Sequence, residues 1–100
     1  RSSDLAVLAL SKNMARKLAT EVRINVLAPG NVLFPGGSWD KKIKENPDRV
    51  KKTIRSTVPM NRFGTVEEMA DAAVFLCSER AKFITGSVLV VDGGQTVGVF

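Results

Sequence analysis

One hundred residues, 44% of them apolar and 25% charged, with no low-complexity tract, describe one small globular domain at most. The formal charge of +5 would suit an acidic partner, but the basic residues are scattered among acids without aromatic neighbours, which reads as a solvated helical surface and not a nucleic-acid face. With no histidine, no tyrosine and a single cysteine, Cys77, the chain excludes an internal disulfide and a Ser-His-Asp or Cys-His mechanism, and leaves no zinc site of the usual ligand types.

The longest apolar run, residues 5–10, is too short to span a bilayer. The N-terminus has no signal-peptide layout, so the expectation is a soluble, cytoplasmic protein with no membrane partner. In chain order, residues 4–20 read as a helix: Leu5, Leu8, Ala15 and Leu18 keep helical spacing, and Lys12, Arg16 and Lys17 mark a wet side. Val7, Ala9 and Leu10 widen its apolar face, which predicts cover on two sides, and Ser2 or Ser3 is the candidate cap. Residues 22–27, β-branched at Val22, Ile24 and Val26, read as a strand. Pro29-Gly30 breaks that strand, and a loop over residues 31–37 follows.

Ser38 is the expected cap of a short helix carrying Trp39 and Ile43 on one face. Asn46-Pro47 restarts it, because proline is welcome in a first helical turn, and Val50 and Ile54 carry the apolar face on to about Thr57. After a loop at residues 58–64, Thr65 opens a helix with a capping box, since Glu68 lies three residues on. Its buried face is expected to be Met69, Ala73 and Leu76 with Ala70, Val74 and Cys77, the cysteine as a small core hydrophobe. Residues 87–91, a continuous apolar β run, signal a strand buried on both faces, and Asp92-Gly93-Gly94 is a turn. Two such strands, about sixty residues apart with helical crossovers between them, indicate an α/β fold with a parallel sheet. A two-stranded sheet is not stable alone, so these strands call for neighbours that the chain does not contain.

At this point the residues carry a family likeness. "LALSKNMARKLATEVRINVLAPGNV" followed by "VPMNRFGTVEEMADAAVFLCSERAKFITGSVLVVDGG" resembles the C-terminal part of short-chain dehydrogenases/reductases. The likeness covers nearly all of residues 5–94. It rests on four elements in the right order: the helix before "RINVLAPG", the Pro-Gly, the "RFG-x-x-EE" helix start, and "ITG-x-x-x-x-VDGG". The resemblance implies the C-terminal part of a Rossmann-like doubly wound parallel sheet, spanning residues 1–100 with the N-terminal half absent, and residues 35–58 as a variable substrate lid. It implies NAD or NADP as cofactor, an alcohol or carbonyl substrate, interconversion of the two by the parent protein, and a homo-oligomer.

Ligands of open parallel sheets bind outside the carboxyl ends of the strands, where Pro29 and Gly30 stand. By the resemblance, Pro29, Gly30, Asn31 and Val32 are cofactor-binding, with backbone near Val32 on the nicotinamide carboxamide. Glycine at position 30 is expected to let a flat ring approach the backbone. Phe34 stands where many members carry a threonine. Phe34 and Trp39 are candidate substrate contacts, or else hydrophobic plugs under a helix. Asp92-Gly93-Gly94 lies near subunit contacts in the family, or is a plain turn, and Arg62 is a surface or cap-pairing residue.

No glycine-rich phosphate loop occurs in the sequence. The family's Tyr-x-x-x-Lys pair would fall at the start of the first helix, its lysine position on Asp4 and its tyrosine just before Arg1. No catalytic residue is therefore expected in this chain, which alone is expected to be inactive. Two other classes remain open: a non-enzymatic or degenerate half-domain acting as an interaction module through its apolar first helix, and an anionic-surface binder.

Overall fold

The computed structural model describes residues 2–97, with side chains from residue 5 onward. Helix α1 spans Ser2–Lys17, so the two serines expected to cap it lie within the helix and not ahead of it. Residues 18–21 turn, with the amides of Glu21 and Val22 donating to the Leu18 carbonyl. Ala15 is the buried contact of α1, against Gly86, where the Lys12 ammonium also donates to the Gly86 carbonyl at 3.1 Å. Leu5, Val7 and Leu10 are exposed among the described residues, the first and last at 67% and 61%. The radius of gyration, 16.0 Å, exceeds the roughly 13 Å of a compact 100-residue domain, as a helix with uncovered faces requires.

Strand β1 is Val26–Pro29 and strand β2 is Val88–Val91. They pair in parallel, Val26 opposite Val88 through Pro29 opposite Val91. This bears out the parallel α/β assignment. It also moves the first strand toward the C-terminus of the expected residues 22–27. The displacement has a physical cause. Residues 23–25 meet residues 84–87 mostly through side chains, with one backbone bond, from the Gly86 amide to the Ile24 carbonyl at 2.8 Å. The Ile24 amide donates to the Thr85 hydroxyl, the Asn25 amide group to the Ile84 carbonyl, and Asn25 Oδ1 accepts from both the amide and the hydroxyl of Ser87. The Arg23 guanidinium ties the carbonyls of Ile84 and Ser78. Regular pairing begins only beyond this clamp.

Helices α2, Ser38–Glu45, and α3, Pro47–Thr57, form the crossover with α4, Val66–Cys77, and a 3-10 turn, Glu79–Ala81. The residue ahead of α2 is Gly37, with no side-chain cap, so Ser38 is the first helical residue and not the cap. Asn46 does cap α3, its side chain accepting from the Arg49 amide at 3.2 Å, with Pro47 at the first position. Val50, Ile54 and Val58 are buried together, with Trp39, Ile43 and Phe63 packed on them. Burial of side chains of this size stabilises by about 1.5–3 kcal/mol each.

Helix α4 starts with the expected capping box: the Thr65 hydroxyl accepts from the Glu68 amide at 3.1 Å, and Glu68 accepts from the Thr65 amide at 2.9 Å. Arg62 completes it with a two-pronged contact to Glu68 at 2.9 and 2.8 Å, the cap-pairing role expected for it. Of the expected buried face, Leu76 is buried and Met69 and Ala73 are half-buried, whereas Ala70, Val74 and Cys77 are exposed. Cys77 is therefore not a core hydrophobe in this structure. Helix α4 packs on β1 and, among the described residues, nothing covers its other side. No helix among the described residues is long and apolar enough to cross a membrane.

Candidate site at the strand ends

The carboxyl ends of β1 and β2 carry the Pro29–Gly30 turn. The Gly30 amide donates to the Val91 carbonyl at 3.0 Å and extends the ladder by one bond. A Cβ on Gly30 would sit 2.6 Å from the Asp92 Cβ and 2.7 Å from its Cα. Carbon atoms pack at about 3.5–4.0 Å, so only glycine permits this approach of the two strand ends. The glycine is thus required by Asp92, within the protein itself.

Beyond the turn, the chain is held by one parallel bridge, Val32 opposite Gly64. The Gly64 amide donates to the Asn31 carbonyl at 2.9 Å, and the Leu33 amide donates to the Gly64 carbonyl at 3.1 Å. In a parallel bridge the central residue's own amide and carbonyl point away from the partner. Among the described residues, neither of those two groups of Val32 has a partner. An N–H and a C=O on one half-buried residue therefore stand side by side at a strand end.

Both polar atoms of the Asn31 side chain are bonded. Its Oδ1 accepts from the Trp39 indole at 3.3 Å and its Nδ2 donates to Gln95 Oε1 at 2.8 Å. Because an indole N–H can only donate, the orientation of the amide is fixed. Trp39 packs edge-on to Phe63, ring centroids 5.2 Å apart, and Lys42 lies 4.6 Å over its ring. Phe34 is 45% exposed, and its ring closes over Gly37, where a Cβ would come within 2.8 Å of it. A cleft of about 910 Å³ opens between α1 and the strand ends, with Leu8, Ala28, Gly30, Asn31 and Thr96 among its walls.

Asp92 organises the segment after β2. Its two carboxylate oxygens accept from the amides of Gly94, at 3.0 Å, and Thr96, at 2.8 Å. Hydrogen bonding from Thr96 chiefly, then from the Gly94 and Gln95 amides, holds its carboxyl below the usual range against the opposing effect of desolvation. The sequence had a signal for this, because aspartate ahead of two glycines is a side-chain-closed turn. It had none for the Asn31–Gln95 pair, whose members lie 64 positions apart.

A family profile described as enoyl-(acyl carrier protein) reductase matches residues 2–96. The chain belongs to the short-chain dehydrogenase/reductase family. Among curated members it is 43% identical over 94 residues to the bovine dehydrogenase/reductase SDR family member 4, covering 93% of this chain and 32% of that one. It is 32% identical over 97 residues to the 3-oxoacyl-[acyl-carrier-protein] reductase of Thermotoga maritima, covering 96% of this chain and 37% of the relative. Among solved members, L-sorbose reductase from Gluconobacter frateurii, complexed with NADPH and L-sorbose, superposes with a TM-score of 0.83 at 33% identity, over 95% of this chain and 39% of that one. A 4-hydroxyisoleucine dehydrogenase complexed with NADH superposes equally well, at 0.83 and 28% identity, over 98% and 39%. The chain spans about a third of the length of the curated short-chain dehydrogenases/reductases it matches. For a nicotinamide cofactor, the donor set fits: a primary carboxamide carries one N–H₂ donor and one C=O acceptor, the complement of the two unpaired groups of Val32.

Proposed function

We infer that the protein carrying this chain is an NAD(P)-dependent oxidoreductase that interconverts an alcohol and a ketone, with this segment supplying the nicotinamide side of the site and the substrate lid. The supporting observation is the unpaired amide and carbonyl of Val32 beside the Pro29–Gly30 strand end. When bound, the nicotinamide gives or takes the hydride. Val32 fixes the rotation of the ring through its carboxamide, while Pro29 and Gly30 form the wall against which the ring lies and Asn31 holds that wall in place. Phe34, just ahead of the lid over residues 35–58, and Trp39 within it form its aromatic side and exclude water from the reacting carbonyl. The chain has neither tyrosine nor histidine, so the reading assigns the proton donor to the family's tyrosine, outside residues 1–100. General acid catalysis of this kind contributes roughly a hundred- to ten-thousand-fold.

The open apolar face of α1, with Leu5, Val7 and Leu10 exposed, supports homo-oligomerisation, and the reading includes a cytoplasmic location and small-molecule substrates in place of nucleic acid. The test is the protein at its full encoded length, NADH or NADPH, and a panel of ketones followed at the nicotinamide absorbance band. Val32→Pro removes the unpaired amide and fixes φ at position 32, while the bonds to Gly64, which run through Asn31 and Leu33, are left in place. Roughly a five- to tenfold rise in the KM for the dinucleotide is expected, the effect of one hydrogen bond. Absence of turnover with every ketone, or a Val32→Pro protein with unchanged dinucleotide KM, would refute the reading.

A further inference from the structure

Three segments meet at one side-chain amide. Asn31 lies on the strand-end turn, Trp39 on the first turn of α2, and Gln95 on the segment after β2. Helix α2 has no side-chain cap of its own, and no residue of it is buried. Its N-terminal turn is closed locally by the Asp40 carboxylate, which accepts from the Gly36 amide at 3.0 Å, and is tied to the strand end by the indole of Trp39, bonded to Asn31 and packed against Phe63 and the Val50, Ile54 and Val58 cluster. On the other side, Gln95 is fixed by the turn that Asp92 closes through the Gly94 and Thr96 amides. The Asn31 backbone is itself anchored at its carbonyl by Gly64.

We propose that the Asn31 side chain is a latch, a positioning residue that sets the substrate lid and the segment after β2 against the turn whose backbone carries Val32. The proposal rests on the oxidoreductase reading for its catalytic consequence. With the latch intact, the lid helix and the Val32 amide are two ends of one rigid unit, so the carbonyl substrate is held at a fixed distance from the dinucleotide. With it broken, α2 keeps its contacts to Phe63 and Val50 but loses its tie to the strand end. Substrate held by the lid is then bound less well and no longer held at that distance, which raises KM and lowers kcat.

The experiment uses the protein at its full encoded length and compares Asn31→Leu, which removes both bonds at similar volume, with Gln95→Leu and Gln95→Glu. Glutamate retains an acceptor for the Asn31 Nδ2 and preserves the latch, and leucine does not. Expected is a rise of about twenty-fivefold in the ketone KM for Asn31→Leu and about fivefold for Gln95→Leu, the effects of two and one hydrogen bonds. A near-wild-type ketone KM is expected for Gln95→Glu. A second readout needs no activity. Trp39 is the one tryptophan of residues 1–100, and its emission, isolated by subtracting the Trp39→Phe protein, should move to the red and become more open to acrylamide quenching in Asn31→Leu.

If the wild type is active, an unchanged ketone KM in Asn31→Leu, or a Gln95→Glu protein as impaired as Gln95→Leu, overturns the latch and leaves the oxidoreductase reading intact. If the wild type turns over no ketone, that reading falls, and the Trp39 emission alone decides: a red shift with increased quenching upholds the latch, and an unchanged spectrum overturns it.

Discussion

Replacing Gly30 by alanine separates two accounts of the same glycine. In one, position 30 lacks a side chain so that a cofactor ring can lie against the backbone. In the other, its partner is Asp92. An added methyl would stand 2.6 Å from one Asp92 carbon and 2.7 Å from another, the second being backbone. To restore an ordinary separation of about 3.5–4.0 Å, the two strand ends must part by roughly 1 Å. Overpacking of this kind costs about 1–3 kcal/mol. Parting the ends also stretches the Gly30–Val91 bond of 3.0 Å and the Asn31–Gln95 bond of 2.8 Å, each with a net contribution of about 1 kcal/mol. Gly30→Ala should therefore lose about 2–4 kcal/mol in a urea titration of the dinucleotide-free protein at its full encoded length. An unchanged urea midpoint, together with weakened dinucleotide binding, would show that the glycine serves the cofactor and that the contact with Asp92 is soft.

Four further outcomes are expected. The carboxyl of Glu68 is held at about 2, first by its hydrogen bonds from Arg62 and then by the Thr65 amide. Its folded value lies below the ordinary 4.5, so its stabilisation is fully present above that pH and is lost as pH falls toward 2. Glu68→Gln should thus lower the melting temperature at neutral pH, with the gap from wild type closing between pH 5 and 2; a constant gap would exclude the ionised pair as its cause. Thr65→Ala removes the other half of the capping box and should lose about 1 kcal/mol in chemical unfolding, with no loss counting against a folded-state role for the box. The 100-residue chain made alone should show no NAD(P)H-dependent ketone reduction, because it lacks a glycine-rich phosphate loop, tyrosine and histidine; steady turnover that survives repurification and falls with Gly30→Val would contradict this. Leu10→Lys on the exposed face of α1 should reduce self-association in sedimentation of the full-length protein, and an unchanged oligomer would remove α1 from the contact.

The parts of the fold that local chemistry determines were readable in the sequence. The Thr65-x-x-Glu68 spacing and the Asn46-Pro47 pair specify helix starts through bonds that span three residues, and both stand as expected. The apolar run of β2 was also legible, because a parallel strand is apolar at every position. The first strand was misplaced for the opposite reason. Val22 and Ile24 carry β-branched side chains, but apart from one backbone bond between Ile24 and Gly86, residues 23–25 are held by side-chain bonds to and from residues 78 and 84–87, some sixty residues away. The faces of α1 and α4 were read as buried since periodicity reports what a helix can cover, not what is present to cover it. At the site, the turn and Val32 were visible through the family likeness. The reason for Gly30 was not, because it depends on how close Asp92 comes, and neither was the double engagement of Asn31.

The ladder between β1 and β2 joins Val26 to Val88, 62 positions later. Closing a flexible segment of that length carries an entropic cost of about 4 kcal/mol before any strand pairing is gained. The α2–α3 cluster, in which Val50, Ile54 and Val58 lie within nine residues, closes far more cheaply. The order of folding follows: helices and their local cluster first, strand pairing last. On a ribosome adding roughly 5–20 residues per second, β1 waits about 3–12 s for its partner to be made. During that interval its open apolar edge is available to any other chain, and Pro29 at its last position, which offers no N–H to a foreign strand, shortens the edge that can be captured.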